Sequence, residues 1–213
     1  MKGVDFMLCQ FSFKNFKSYK DETVFDMQAA NLPEFAENII DCKPASSLLS
    51  VAAIYGPNGG GKTNMLQALT CLISTVVKPI YDMEKTRTNL IVQQKVSCTP
   101  FLFDEKTSSE PTEFLLYFRT NGYEYRYYLS MLHDEIIAEV LDRKKIGGKR
   151  TAHVFDREGK IITLGSSINK ASINRDVNPK MPYLSFLAIN YDIPAINDAQ
   201  KWFESCIIRS YAN

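Results

Sequence analysis

A chain of 213 residues is long enough for one substantial core, or for one core carrying a smaller sheet. Its 25 Lys and Arg against 24 Asp and Glu leave a formal charge of +1, which gives no general field for attracting nucleic acid or an anionic membrane. No run approaches the roughly 18 apolar residues of a membrane span, and Asp5 interrupts what a secretory leader would need as its apolar region.

In chain order, residues 7–16 alternate Leu8, Phe11, Phe13 and Phe16 with polar residues and predict a strand. The turn-prone residues 17–22 lead to a second strand at 23–27. Residues 28–47, with Pro33 and Pro44, form a polar connection with room for one short helical piece. The continuously apolar run 48–55 has the length of a buried central strand. After residues 56–61 break it, Met65, Leu66, Leu69, Leu72, Ile73 and Val76 recur at helical spacing, and Pro79 is expected to end that helix. Residues 112–165 read as an antiparallel meander. Asn121-Gly122 is its strongest hairpin signal, and further strands fall at 136–141, 152–155 and 161–164. Residues 181–189 suggest a short helix. A last one is capped by Asn197 or Asp198, with Ala199, Trp202, Phe203, Cys206 and Ile207 along one face. The division expected is 1–111 as a core built around the glycine-rich break at 56–61, 112–165 as an antiparallel β subdomain and 166–213 as a helical C-terminal segment.

Cys9, Cys42, Cys71, Cys98 and Cys206 are widely spaced without a C-x-x-C pair, and are expected to be reduced thiols of a cytoplasmic protein. His133 and His153 alone give a zinc site little to build on.

The chemistry sits between the apolar run and the helix. Gly56, Pro57, Asn58, Gly59, Gly60, Gly61, Lys62 and Thr63 satisfy G-x-x-x-x-G-K-[ST] at every fixed position. Small residues let the backbone curl so that N–H groups face phosphate oxygens, and the helix adds its free N-terminal N–H groups. Lys62, the candidate catalytic residue, is expected to reach the β- and γ-phosphates of ATP, and the Thr63 hydroxyl to sit on Mg²⁺. Asn58 either orients near the γ-phosphate or fixes the loop's own shape. Hydrolysis also needs an acidic residue at the end of a second apolar strand. Residues 101–105, Phe-Leu-Phe-Asp-Glu, come nearest, but read better as a strand end or loop.

Phe13-Lys14-Asn15-Phe16-Lys17-Ser18-Tyr19, the loop extended to Asn64, Pro100-Phe101, Tyr125-Arg126-Tyr127-Tyr128 and Tyr183-Leu184-Ser185 together carry a resemblance. The chain resembles the AAA15-type ATPases, with ABC-like heads related to Rad50, SMC and RecF. It is also similar to the N-terminal ATPase part of overcoming-lysogenization-defect and RloA-like proteins. The resemblance implies an α/β P-loop NTPase, the N-terminal lobe of an ABC-like head, with an appended antiparallel β-meander. It implies Mg²⁺-dependent ATP binding in DNA-related or phage-defence processes, with hydrolysis needing a C-terminal half. It makes Lys14, Asn15 and Ser18 adenosine-side candidates, against the plainer reading of a solvated turn. It places a Mg²⁺-sensing glutamine at Gln93 or Gln94, with nothing to choose between them.

Self-association or a separately encoded C-terminal half are the expected partners, and no membrane is. The alternative is a non-catalytic, nucleotide-dependent regulatory or interaction module. Nucleic acid has one local support, the cluster Arg143, Lys144, Lys145, Lys149 and Arg150 around Gly147-Gly148, and such charged hairpin tips are ordinarily just solvated.

Overall fold

The computed structural model describes residues 6–30, 37–83, 97–168 and 172–209. Its strands are β1 (Met7–Lys14), β2 (Thr23–Asp26), β3 (Ile39–Ile40), β4 (Leu48–Leu49), β5 (Thr112–Thr120), β6 (Tyr123–Leu132), β7 (Glu135–Lys145), β8 (Thr151–Glu158) and β9 (Ile161–Leu164). Its helices are α1 (Lys62–Met83), α2 (Tyr183–Asn190) and α3 (Pro194–Ser205). A seven-stranded sheet runs β2-β1-β5-β6-β7-β8-β9, with every pairing antiparallel. This is a mixed α/β fold. The sheet crosses the expected 111/112 boundary, because β1 lies directly beside β5.

Side-chain alternation explains the layering. Phe114, Leu116 and Phe118 on β5 stand opposite Leu129, Tyr127 and Tyr125 on β6, and all six are fully buried. A bulge between Leu8 and Gln10 resets β1 so that Phe11 and Phe13 continue the same apolar face. On that face lie α1, through Ala68, Cys71, Leu72, Ile73, Val76 and Val77, and the two later helices. Trp202 stacks on Phe118 at 4.5 Å, and the Ser185 hydroxyl donates to the Val76 carbonyl at 2.7 Å, pinning α2 to α1. A smaller cluster on the opposite face gathers Met7, Cys9 and Leu48.

The hairpin read at Asn121-Gly122 is there, with both residues in the left-handed region (φ 49° and 78°). Other expectations are corrected. Of the run 48–55, only Leu48–Leu49 forms a strand, paired with β3, while Val51 is 76% and Tyr55 91% exposed. A central strand needs neighbours on both edges; Leu48 has them in β3 and Gln28, but residues 50–55 pair with no strand among the described residues. Pro79 does not end α1, which continues to Met83. Proline removes one N–H and crowds the carbonyl four residues back, a local cost that one further turn of helix tolerates here. The last helix begins at Pro194, ahead of Asn197, because proline suits the first helical position. Not all the cysteines are free thiols, since Cys71 and Cys98 form a disulfide. Cys71 is buried on α1, and the two Cα atoms are 6.3 Å apart, within bridging range.

A buried carboxylate joins sheet to helices. Glu139 on β7 is fully buried and accepts from the backbone N–H groups of Tyr183 (2.6 Å) and Leu184 (2.9 Å), and from the Tyr127 hydroxyl (2.9 Å). It caps α2, whose own N-cap, Pro182, has no side-chain donor or acceptor to offer. Arg157, also buried, lies 4.0 Å away and donates to the Met181 and Gly159 carbonyls. Burial pushes the Glu139 carboxyl up, opposed by the helix N–H groups, Arg157 and Tyr127. Glu139→Ala strands two helix N–H groups and a buried guanidinium at once. It is expected to cost about 3–5 kcal/mol in urea unfolding, the range for removing one partner of a buried ion pair.

Candidate functional site

The site is built from the end of β1 outward. Asn15 takes a left-handed φ of 54° there, a conformation asparagine tolerates better than most residues. Its fully buried amide donates to the carbonyls of Thr107 (2.8 Å), Glu110 (2.9 Å) and Pro111 (3.3 Å), and accepts from the Phe101 N–H (2.9 Å). Its own carbonyl accepts from the Thr112 hydroxyl at 2.7 Å. The next residues form a two-residue turn in which Phe16 and Tyr19 exchange backbone hydrogen bonds of 2.9 Å each.

That turn docks on the start of α1. The Lys17 ammonium donates to Gln67 at 2.6 Å, and the Ser18 hydroxyl accepts from the Asn64 amide at 2.8 Å. The Tyr19 ring, edge-on to Phe13, closes over Gly61, where a Cβ would stand 2.9 Å from the tyrosine oxygen.

The loop itself has the local geometry its composition implies. Gly59 and Gly61 take φ of 81° and 85°, and the Gly60 N–H turns back to the Pro57 carbonyl at 3.1 Å. The Lys62 ammonium is folded onto the loop, donating to the carbonyls of Gly56 (2.8 Å) and Pro57 (2.7 Å). The first turn of α1 holds no acidic residue, and its leading N–H groups have no intrahelical acceptor. Residues 58–64 line an open recess of about 300 Å³. Its polar groups are backbone N–H donors, the Lys62 ammonium, the amides of Asn58 and Asn64 and the Thr63 hydroxyl, without a carboxylate. That donor set suits phosphate oxygens, and the Thr63 hydroxyl is the group there that could ligate a metal ion.

The residues expected at the adenosine end fare differently. Ser18 stands against Asn64 at the loop. The Asn15 amide is spent on the chain's own backbone, because a left-handed strand end beside a long excursion needs an internal latch. Lys14 lies on the sheet face away from α1, in a hollow with Ser12, Glu22, Glu113 and Arg126. Gln93 and Gln94 fall outside the described residues. Asp104 belongs to a turn rather than a strand end. It pairs with Lys20 at 2.7 Å, and that hydrogen bond, with one from the Lys106 N–H, holds its carboxyl below the usual range. Sequence reasoning missed the contacts of Lys17 with Gln67 and of Tyr19 with Gly61. The signal was present in residues 13–19, but nothing in that stretch says which side chains fold back onto the helix.

A P-loop-type sequence ahead of a long helix, on a mixed α/β scaffold, marks the chain as an AAA-domain protein of the P-loop NTPase superfamily. Residues 51–202 match the family described as "AAA domain, putative AbiEii toxin, Type IV TA system", and the chain belongs to that family. No curated protein matches it.

Gly61→Ala tests the Tyr19 contact. A left-handed alanine costs about 1–2 kcal/mol, and the new methyl also displaces the tyrosine, so nucleotide affinity should fall roughly tenfold by calorimetry. Adding Tyr19→Ala should recover only the part due to the clash. Unchanged affinity in the single variant would show that the ring does not constrain the loop.

Proposed function

We propose that the chain binds ATP with Mg²⁺ through residues 56–64, as the nucleotide-binding part of an ABC-like ATPase head acting in a toxin–antitoxin or phage-defence process. The observation that carries this reading is the recess at the start of α1, where left-handed glycines, free helix N–H groups and Lys62 converge without an opposing carboxylate. Lys62 would place its charge at the β- and γ-phosphates, Thr63 would ligate the metal, and Asn64 and Tyr19 would hold the loop's shape. The family description supports the biological setting, and the loop geometry supports the ligand.

Binding and hydrolysis make different demands. Phosphoryl transfer to water needs the metal held from a second side and a group to orient the water. Neither is supplied by the residues lining the recess, and Asp104 is occupied by Lys20. We therefore assign hydrolysis to a composite site, completed by an acidic motif from a C-terminal half or a second chain. Residues 51–55 favour this reading. They are apolar, β-branched in part and exposed, as expected of a strand whose sheet neighbours come from elsewhere.

Lys62→Ala should weaken MgATP and MgADP binding roughly 10- to 100-fold in calorimetry, the loss expected for charge-assisted hydrogen bonds. Equal affinity in both proteins would remove the assignment of the site.

Turnover is a separate measurement. The purified chain should release phosphate very slowly, since groups acting in the transition state change rate far more than ground-state affinity. Multiple turnovers per minute from the chain alone, abolished by Lys62→Ala, would show that the site is already complete. No turnover on adding any acidic-motif partner would favour the regulatory alternative, in which nucleotide only sets a conformation.

A further inference from the structure

At the other end of the sheet is a second polar recess that the nucleotide site does not use. It is a cleft of about 320 Å³ between the 43–46 loop and the β7–β8 turn, and Ser46, Arg119, Glu124, Lys144 and Lys145 are among the residues lining it. Arg119 forms its floor, with a side chain only 5% exposed. The guanidinium is fixed by Glu124 (2.8 Å), the Ser46 carbonyl (2.7 Å) and the Ser46 hydroxyl (3.1 Å). We propose that this cleft and the cations around it bind the phosphate backbone of a nucleic acid.

The charge balance is local. Lys144, Lys145, Lys149 and Arg150 have no ion-pair partner among the described residues. The carboxylates that could neutralise them are committed elsewhere. Glu124 stands opposite Lys144 in register but holds Arg119, and Asp142 holds Arg126 (3.3 Å) and His153 (2.7 Å). Arg143 adds a further cation, held over the Tyr123 ring at 4.6 Å. A chain of net charge +1 thus concentrates unpaired positive charge at one end of its sheet.

The tip is also pre-organised. The Ile146 N–H donates to the Gly122 carbonyl (3.0 Å) and the Gly148 N–H to the Lys145 carbonyl (2.7 Å). Gly147, with a φ of 76°, lies so close to Pro44 that a Cβ would come within 2.6 Å of its ring. The two hairpin turns and the 43–46 loop therefore form one rigid corner.

The ligand class follows from what the corner contains and lacks. Four free cations suit a polymer of dense fixed negative charge, whose condensed counterions are released on binding. The turn exposes Gly, Lys, Arg and Thr, with Ile146 half-buried, so it has no large apolar side chain to enter a bilayer. No Asn or Gln lines the cleft and the Asn121 amide of the adjoining turn is engaged by Asp198, so the contacts are to phosphate and independent of base sequence. The corner and the phosphate loop sit at opposite ends of β1. Met7 pairs with Arg119 near the corner and Lys14 with Glu113 near the loop, a separation of roughly 25 Å at strand rise.

The test is fluorescence anisotropy of the full chain with a short duplex DNA across a salt series. About four neutralised phosphates give an expected log–log slope of about −3.6, or roughly a hundredfold loss between 50 and 200 mM salt. Changing Lys144, Lys145, Lys149 and Arg150 together to Glu should cut affinity at least tenfold and flatten the slope. The corresponding Gln variant, gentler on the fold, should fall between. MgADP affinity of both variants should equal that of the parent chain, which reports the fold intact and separates this site from the phosphate loop. No duplex binding by the parent chain, equal affinity in the Gln variant, or equally tight capture of polyglutamate or anionic vesicles would each overturn the proposal.

Discussion

The candidate site depends on the latch at Asn15. A strand that ends in the left-handed region leaves its last polar groups pointing into the protein, where an unsatisfied amide would cost about 1–3 kcal/mol. Here one buried side chain satisfies the returning backbone at residues 101, 107, 110 and 111, while its own carbonyl is met by Thr112. The arrangement fixes three things together: where β1 stops, where β5 begins, and the direction in which residues 16–20 leave the sheet. Only with that direction set do Lys17, Ser18 and Tyr19 meet the first turns of α1. The shape of the phosphate loop is thus an indirect result of a hydrogen-bonded strand end some distance from it.

The one charged side chain lining that loop's recess is cationic, and none is anionic. A recess lined by N–H groups, an ammonium and a hydroxyl is organised for an anion before any anion arrives, and Lys62 is parked on the loop's own carbonyls in the meantime. Such a site trades intramolecular hydrogen bonds for bonds to phosphate, so the net gain per contact is smaller than the contacts themselves suggest. It is also the reason affinity and turnover are expected to respond separately under the proposed reading. The groups proposed to recognise phosphate lie within a short stretch of chain, whereas no carboxylate that could activate water is among the residues lining the recess.

Much of this was legible in the sequence. The meander was readable because its signals are local: aromatic- and apolar-rich runs at 114–118 and 125–129, and an Asn-Gly pair between them at a turn needing two left-handed residues. The loop was readable because glycines, lysine and threonine at fixed spacing have few other physical uses. What escaped depends on contacts between distant residues. The run 48–55 has the composition of a central strand, and composition cannot say whether the neighbouring strands are within reach. The disulfide needed the distance between Cys71 and Cys98, and the cap on α2 needed Glu139 from a strand 44 residues earlier. The backbone role of Asn15 escaped because a polar residue beside a turn reads the same whether it faces a ligand, solvent or the chain's own backbone.

The order of the strands also bears on how the chain reaches this structure. From β5 to β9 each strand pairs with its sequence neighbour, so that block is assembled from contacts of low sequence separation and can form early. The β1–β5 pair is of another kind, since Phe13 meets Phe114 only after about a hundred intervening residues are closed into a loop. Everything that shapes the phosphate loop, from the Asn15 latch to the Tyr19 contact, lies on the far side of that closure. Nucleotide-binding competence should therefore be a late product of folding, gained after the meander is already in place, and a nascent chain would carry its exposed apolar run 51–55 through that interval.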